Sequence, residues 1–342
     1  MPPANDLPSN SRDSLNQIAV EEGLSGVVRV DLDGRIAFEG AYGLAHRGLG
    51  VANTIDTQFG TASGAKGFTA LMVMSLVESG ELTLETTARS LLGDDLPLID
   101  DRVSVEHLLG HRSGIGDYLD EDVFDDSNTY VMPVPVHELA TPEEFLRVLD
   151  GYPMKSEPDE QFVYCNGGYV VLALLAERAA KVPYHDLVEQ RVCAPAGLRD
   201  TAFLRSDELP GRAAIGYLED DGLRSNVLHL PVRGVGDGGI YTTAADMHTF
   251  WDAVFAGRIV SAETLGKMVF PRSESAGMSM RNGLGFWLGG VTDAVSIHGF
   301  DAGVGFVSVR DPGGRFTYTV ISNKSRGAWP VSERINALLT TA

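Results

Sequence analysis

The chain has 342 residues, 44% of them hydrophobic, enough for a large core in one large domain or two intertwined ones. A net charge of −20 argues against nucleic acid or an anionic membrane as partner and reads most simply as a soluble acidic surface. Two cysteines, Cys165 and Cys193, make neither a CxxC pair nor a metal quartet; they fit a reducing compartment, and no metal or cofactor is expected.

The opening stretch, MPPANDLPSNSRDSLNQ, lacks a basic n-region and an apolar h-region, and no apolar run approaches the roughly 20 residues of a membrane span. The expectation is a cytoplasmic protein without a signal peptide. Residues 11–22 predict a short helix. GVVRVDLDGRIAFEGAYG, residues 26–43, predicts a β-hairpin turning at Asp33-Gly34. Residues 62–78 predict a helix that is apolar nearly all round, hence buried. Further helices are predicted over residues 105–109, 142–149, 168–180 and 184–192. TAADMHTFWDAVFAG, residues 243–257, is a well-marked helix, with Thr243 and Asp246 at capping-box spacing and Gly257 past its end. GFVSVRDPGGRFTYTVISN, residues 305–323, repeats the hairpin design with its turn at DPGG, and residues 331–339 predict a terminal helix over the sheet. Strands at both ends and helices between them predict an α/β (α+β) fold with one antiparallel sheet flanked by helices. Residues 1–85 and 205–342 would form the sheet domain, residues 86–204 a mostly helical insertion, and the active site would lie between them.

Lys66 stands out within the buried helix. Ser63 lies three residues earlier, on the same face and at the helix start. An unpaired buried lysine is costly and burial lowers its pKa, so its neutral amine can take a proton from a hydroxyl. The helix N-terminus favours negative charge developing on that hydroxyl. The plainer reading is a snorkelling or salt-bridged lysine at a helix end, since Ser-x-x-Lys arises by chance about once in a chain this long. About a hundred residues on, Tyr164-Cys165-Asn166 precedes another apolar helix. A tyrosinate stabilised by a nearby lysine could relay a proton there, with the carboxamide orienting it. The plainer alternative is a core tyrosine followed by a turn asparagine.

With both motifs in this order, the chain resembles the serine hydrolases of the superfamily that joins class C β-lactamases, D,D-peptidases and family VIII esterases, a β-lactamase/transpeptidase-like, penicillin-binding-protein-like fold. TQFGTASGAKGFTALMVMSLVESGELTLE resembles its nucleophile helix, SVEHLLGHRSGIGDY its T-x-x-x-L-L-x-H-T-S-G stretch, and GGIYTTAADMHTFWDAVFAGRIVSAETLGKM the strand end and helix after the helical domain. The resemblance implies that Ser63 is acylated, Lys66 is its base partner, Tyr164 is the general base for acylation and deacylation, and Asn166 orients the substrate.

A third motif of that superfamily, Lys-Thr-Gly or His-x-Gly, supplies a cation for a substrate carboxylate and an oxyanion donor after its glycine. Here the region reads AVSIHGFDAGVGFVSV, residues 294–309. Either His298 takes the cation slot and Phe300 the glycine slot, or Ile297 takes the cation slot and Gly299 the glycine slot. The second register is favoured, because a side chain in the glycine slot crowds a backbone that must approach the substrate. The oxyanion donors are then the N–H groups of Ser63 and Phe300. His298, Gly299 and Phe300 join Asn166 as the substrate and oxyanion side of the site; the plainer alternative for His298 is a sheet-surface histidine.

Three other patterns carry less. Gly234 to Gly239 matches G-x-G-x-x-G but is followed by an apparent strand, so a glycine-rich strand entry explains it better than a dinucleotide site. His107 and His111 are spaced i, i+4 without the adjacent Glu of a zincin, which favours capping or packing. The Cys165 thiol is expected to point into the core. Without a cation at the third motif, and without export, an essential substrate carboxylate is disfavoured. The expected activity is hydrolysis of small esters or amides through an acyl-enzyme at Ser63. The alternatives are a D-amino-acid-specific peptidase or weak β-lactamase on the same site, and a non-catalytic protein of the same fold. The expected partner is a small-molecule ester or amide; oligomeric state is not readable.

Overall fold

A computed structural model describes residues 9–121, 123, 127–275, 280–289 and 293–340. Residues 1–8, on which the signal-peptide expectation partly rests, lie outside it. The predicted N-terminal hairpin is β1 (Gly26–Leu32) and β2 (Arg35–Tyr42). Asp33 and Gly34 turn it with φ of 47° and 74°, the paired positive values that a two-residue hairpin loop requires. Two short pairs follow along the chain: β3 (Leu44–His46) with β4 (Val51–Ala52), and β5 (Phe59–Gly60) with β6 (Tyr241–Thr242). The C-terminal strands are β7 (Ser273–Ser275), β8 (Met280–Asn282), β9 (Trp287–Leu288), β10 (Val295–Asp301), β11 (Val304–Arg310) and β12 (Phe316–Ser322). They join the hairpin in one antiparallel eight-stranded sheet of order β2-β1-β12-β11-β10-β9-β8-β7. The hairpin joins the C-terminal strands through the pairing of β1 with β12, Gly26 opposite Ser322.

β12 is buried at every position, because both faces of the sheet are covered. On one face α1 (Ser9–Glu21) and the C-terminal helix Trp329–Thr340 pack Leu15, Ala19, Val331 and Ile335 against Val28, Val30, Val307 and Val320. The other face carries α2 (Ala65–Glu78). In chain order after it come α3 (Ala88–Leu92), α4 (Val105–Leu109), α5 (Leu146–Leu149), α6 (Asn166–Ala180), α7 (Tyr184–Val188), α8 (Ala194–Ala196), α9 (Ala244–Phe255) and α10 (Ala262–Met268). The C-terminal helix is α11. A single core runs through this side: Phe68 and Leu71 of α2, Leu172 and Leu175 of α6, Phe250 and Trp251 of α9, and Ile297 of β10. The Trp251 indole is satisfied inside it, donating to Ser308 Oγ at 2.8 Å, which in turn meets Thr319 Oγ1 at 2.8 Å.

Three elements differ from the sequence reading. The helix expected over residues 142–149 begins as a 3₁₀ turn, Pro142–Phe145, before α5. The helix expected from residue 62 opens with a 3₁₀ turn, Ala62–Gly64, before α2 proper. The helix expected over residues 184–192 is α7 followed by a π-turn, Glu189–Cys193, leading into α8 with Pro195. Proline supplies no N–H and crowds the carbonyl four residues back, and a wider turn accommodates both. At α9 the Thr243 side chain caps the helix, accepting from Asp246 N–H at 3.1 Å. The Asp246 carboxylate meanwhile accepts from Arg199 N, Asp200 N and Thr201 Oγ1.

Candidate active site

Pairing of β5 with β6 draws the residue-240 segment to the start of α2. Thr61 N–H donates to Ile240 O at 2.9 Å, and Gly239 N–H to Ala62 O at 3.3 Å. Ala62 is held at φ 46°, a conformation that non-glycine residues seldom adopt, immediately before Ser63. On the other side β10 presses its backbone onto the same turn. A Cβ on Gly299 would stand 1.8 Å from Thr61 O and 3.0 Å from Gly64 N. Ser63 is thus presented on a constrained turn between a glycine-rich segment and a strand.

Lys66 is 4% exposed and sits one turn into the helix region. Its Nζ lies 2.9 Å from Ser63 Oγ, 2.7 Å from Asn166 Oδ1 and 2.7 Å from the Asp237 carbonyl. Burial lowers its pKa, while the carboxylates of Asp237, Glu121, Asp117 and Asp301 oppose the shift. Two of the three partners are pure acceptors. A neutral amine must therefore spend both N–H bonds on Asn166 and Asp237, and its lone pair is left facing the serine hydroxyl. That is the orientation a base for Ser63 requires.

Tyr164 reaches the same point from the residue before Cys165. Its ring stacks on His111 at 4.5 Å between centroids and parallels Trp287 at 6.1 Å, with Lys66 Nζ 5.1 Å from its centre. Burial, then the charges of Glu121 and Asp237, hold its phenol pKa well above the ordinary value; the hydrogen bond with Ser63 pulls the other way without winning. This differs from the tyrosinate reading of the sequence: the resting group is a phenol. His111 is neutral for the same reason, with burial and then Lys66 lowering its pKa to about 3, and its Nδ1 accepts from Cys165 N–H at 3.1 Å.

Asn166 opens α6. Its Oδ1 accepts from Lys66, and its Nδ2 donates to Leu119 O at 2.9 Å and Glu121 Oε1 at 3.1 Å. Both donors are engaged and the amide oxygen holds the lysine, while Asn166 also lines the cavity beside Ser63. The sequence reading did not single out Asp117, yet its carboxylate accepts from Asn166 N at 2.5 Å and Gly167 N at 2.9 Å, capping α6 from a distant loop. Burial pushes that carboxyl up to about 6 despite these bonds. Asp237 was likewise not singled out: its carbonyl holds Lys66 and its carboxylate accepts from Tyr118 OH at 2.6 Å.

The pleat of β10 separates the third-motif residues. Ile297 and Gly299 face α2, and a Cβ on Gly67 of that helix would meet Ile297 Cγ2 at 2.7 Å. His298 pairs with Val307, which belongs to the core under α1 and α11, and its ring meets Trp329 edge-on at 5.5 Å. Its side chain is thus on the far face from Ser63, and burial lowers its pKa to about 4. His298 borders a small cavity with Ser63, Lys66 and Tyr164, but its ring is turned away toward α11. Phe300, 40% exposed, lies at the site's edge.

The remaining patterns take structural roles. His107 completes a capping box with Ser104 at α4. Cys165 is buried, its Sγ accepting from Gly168 N–H at 3.3 Å, and burial holds the thiol well above its ordinary pKa. In the Gly234 to Gly239 stretch, a Cβ on Gly236 would meet Tyr169 O at 2.0 Å; the glycines let Asp237 approach Lys66. Beside Ser63 opens a cavity of about 290 Å³, with Leu119, Met132, Phe145 and Val232 among its walls. Among the described residues, no helix is long and apolar enough to cross a membrane.

The profile of the Beta-lactamase family matches residues 17–341. A solved penicillin-binding protein from Bacillus halodurans superposes with a TM-score of 0.88 at 33% identity, covering 95% of this chain and 99% of that one. Esterase EstB of Burkholderia gladioli is 32% identical over 211 residues, 59% of this chain and 53% of its own length. D-aminopeptidase of Brucella anthropi is 28% identical over 268 residues, 77% of this chain and 49% of its own. The chain thus spans about half the length of these last two relatives. The chain belongs to the Beta-lactamase family, and it is a serine hydrolase of the β-lactamase and penicillin-binding-protein superfamily.

Proposed function

We propose that this member of the Beta-lactamase family is a carboxylesterase acting on small acyl substrates through an acyl-enzyme at Ser63. The observation that carries the reading is the Lys66 amine 2.9 Å from Ser63 Oγ with its other two positions filled by acceptors. Lys66 takes the Ser63 proton as Oγ attacks the acyl carbonyl. Tyr164, as a phenol, gives its proton to the leaving oxygen and is reprotonated by Lys66. In deacylation the Lys66 amine, through Tyr164, takes the proton of the attacking water and returns it to Ser63 Oγ as the acyl–oxygen bond breaks. The oxyanion is received by the N–H groups of Ser63 and Phe300. Esterase EstB among the relatives supports this reading.

A peptidase or amidase on the same site is the second reading, supported by the D-aminopeptidase relative. Turnover of β-lactams or of peptides ending in a carboxylate is disfavoured by Ile297, an apolar residue where a cation would be needed. The test is hydrolysis of p-nitrophenyl acetate, butyrate and octanoate by wild type and Ser63→Ala side by side. A cavity near the small end of the usual ligand range favours the short chains. Acetate and butyrate turnover in wild type alone is the expected result; equal turnover by Ser63→Ala would remove the scheme.

A further inference from the structure

The cavity beside Ser63 has a charge pattern that its walls do not neutralise. Glu121, Asp237 and Asp301 line it, and no lysine or arginine among the described residues does. Lys66 is enclosed by its three partners behind Ser63. Asp237 is engaged by Tyr118 and Glu121 by Asn166, so these two are already bonded. Asp301 differs. It lies two residues after Gly299 on β10, so its side chain is on the Ser63 face of the sheet. One oxygen accepts from its own neighbour, Ala302 N–H, at 2.7 Å; among the described residues no other donor reaches the carboxylate. A second wall atom, Ser206 Oγ, is buried without a hydrogen-bond partner among the described residues. Burial, then the charges of Glu121 and Asp237, push the Asp301 carboxyl up to about 6, so an arriving cation relieves a cost already present.

We infer that Asp301 is a specificity-determining residue that receives an ammonium group on the substrate, so that the preferred substrates are esters or amides of amino acids with a free amine. The inference rests on the hydrolase reading of Ser63. An apolar Ile297 and an acidic, cation-free cavity act in one direction: a substrate carboxylate is repelled and a substrate amine attracted.

Phenyl esters of D-alanine, L-alanine and isobutyric acid form an isosteric set in which an ammonium replaces a methyl. At pH 7 both Asp301 and the amine are largely charged. After division by the uncatalysed rates, wild type is expected to favour one alanine ester over isobutyrate by roughly ten- to hundredfold in kcat/KM, the value of a hydrogen bond to a charged group. Asp301→Asn and Asp301→Ser are each expected to bring that ratio close to one. A wild-type ratio near one, with isobutyrate turned over, overturns the inference and leaves the esterase reading standing; so does a ratio unchanged in both variants. A second measurement is independent of turnover. Calorimetry on Ser63→Ala should give tighter binding of alaninamide than of isobutyramide by about tenfold or more, lost when Asp301→Asn is added. Equal binding overturns the inference even if no ester is hydrolysed, an outcome that would by itself count against the esterase reading only.

Discussion

Gly299→Ala is the sharpest test of how β10 and the nucleophile turn are fitted together. The new Cβ would lie 1.8 Å from Thr61 O, 2.9 Å from Thr61 C and 3.0 Å from Gly64 N. All three are backbone atoms, so no rotamer change relieves the contact and the strand must separate from the turn by about 1 Å. Overpacking of a close-packed interior costs roughly 1–3 kcal/mol, and backbone neighbours place this case at about 3. At about 2.1 cal/mol/K of unfolding entropy per residue, a chain of this length loses roughly 4 °C in Tm. The same movement carries Phe300 N–H away from Ser63, and a misplacement of about 1 Å costs on the order of 100-fold in rate. Gly266→Ala is the matched control: it lies inside α10, its Cβ meets nothing within 4 Å, and it should be stabilised by about 0.5–1 kcal/mol. Thermal melts and p-nitrophenyl butyrate kinetics on both variants decide the matter. If Gly299→Ala retains Ser63-dependent activity within a few-fold, the assignment of Gly299 to the close approach is wrong, and with it the oxyanion role of Phe300.

Other consequences can be checked on the same preparation. Lys66→Met fills the volume without a base and should lower kcat by at least about 1000-fold. Because Asn166 Oδ1 and the Asp237 carbonyl lose their donor, it should also cost about 1–3 kcal/mol of stability for each; activity within tenfold would contradict the lone-pair argument. Because Tyr164 is held as a phenol, the wild type should show no Tyr164-dependent tyrosinate absorbance near 295 nm between about pH 7 and 9; a signal lost in Tyr164→Phe would refute this. Asp31 is raised by burial but brought to about 2 by hydrogen bonds from His248 and Arg29. Its pKa is depressed in the fold, so its contribution is present above about pH 4 and fades as pH falls toward 2. After allowance for partial exposure, Asp31→Asn should cost roughly 1–2 kcal/mol at pH 7, shrinking by pH 3 in urea titrations; a pH-independent difference would argue against it. Asp117→Ala leaves the first N–H groups of α6 uncapped, and a loss of about 1–3 kcal/mol is expected by chemical denaturation.

What could be read in the sequence was what short-range chemistry encodes. The two hairpins announce themselves through alternation and through Asp33-Gly34 and DPGG, and α2 through an apolar run with a lysine one turn after a serine. Asp117 and Asp237 escaped the reading because they reach the site across 49 and 171 residues of chain. One of them acts through a backbone carbonyl, which no residue type advertises. The protonation of Tyr164 also depends on burial and on charges brought in by folding. The placement of His298 was within reach: the period-two pleat that sets Gly299 toward the nucleophile turn forces its neighbour to the opposite face.

The pairing of β1 with β12 has a consequence for how the protein is made. Gly26 meets its partner Ser322 only after roughly 300 further residues have left the ribosome, about 15–60 s later at ordinary elongation rates. Throughout that interval the β1–β2 hairpin has an open edge, and the nucleophile turn lacks the strand that presses on it. Ser63 therefore becomes competent only once β10 to β12 have been made and close the sheet, and the growing chain carries no working active site until then.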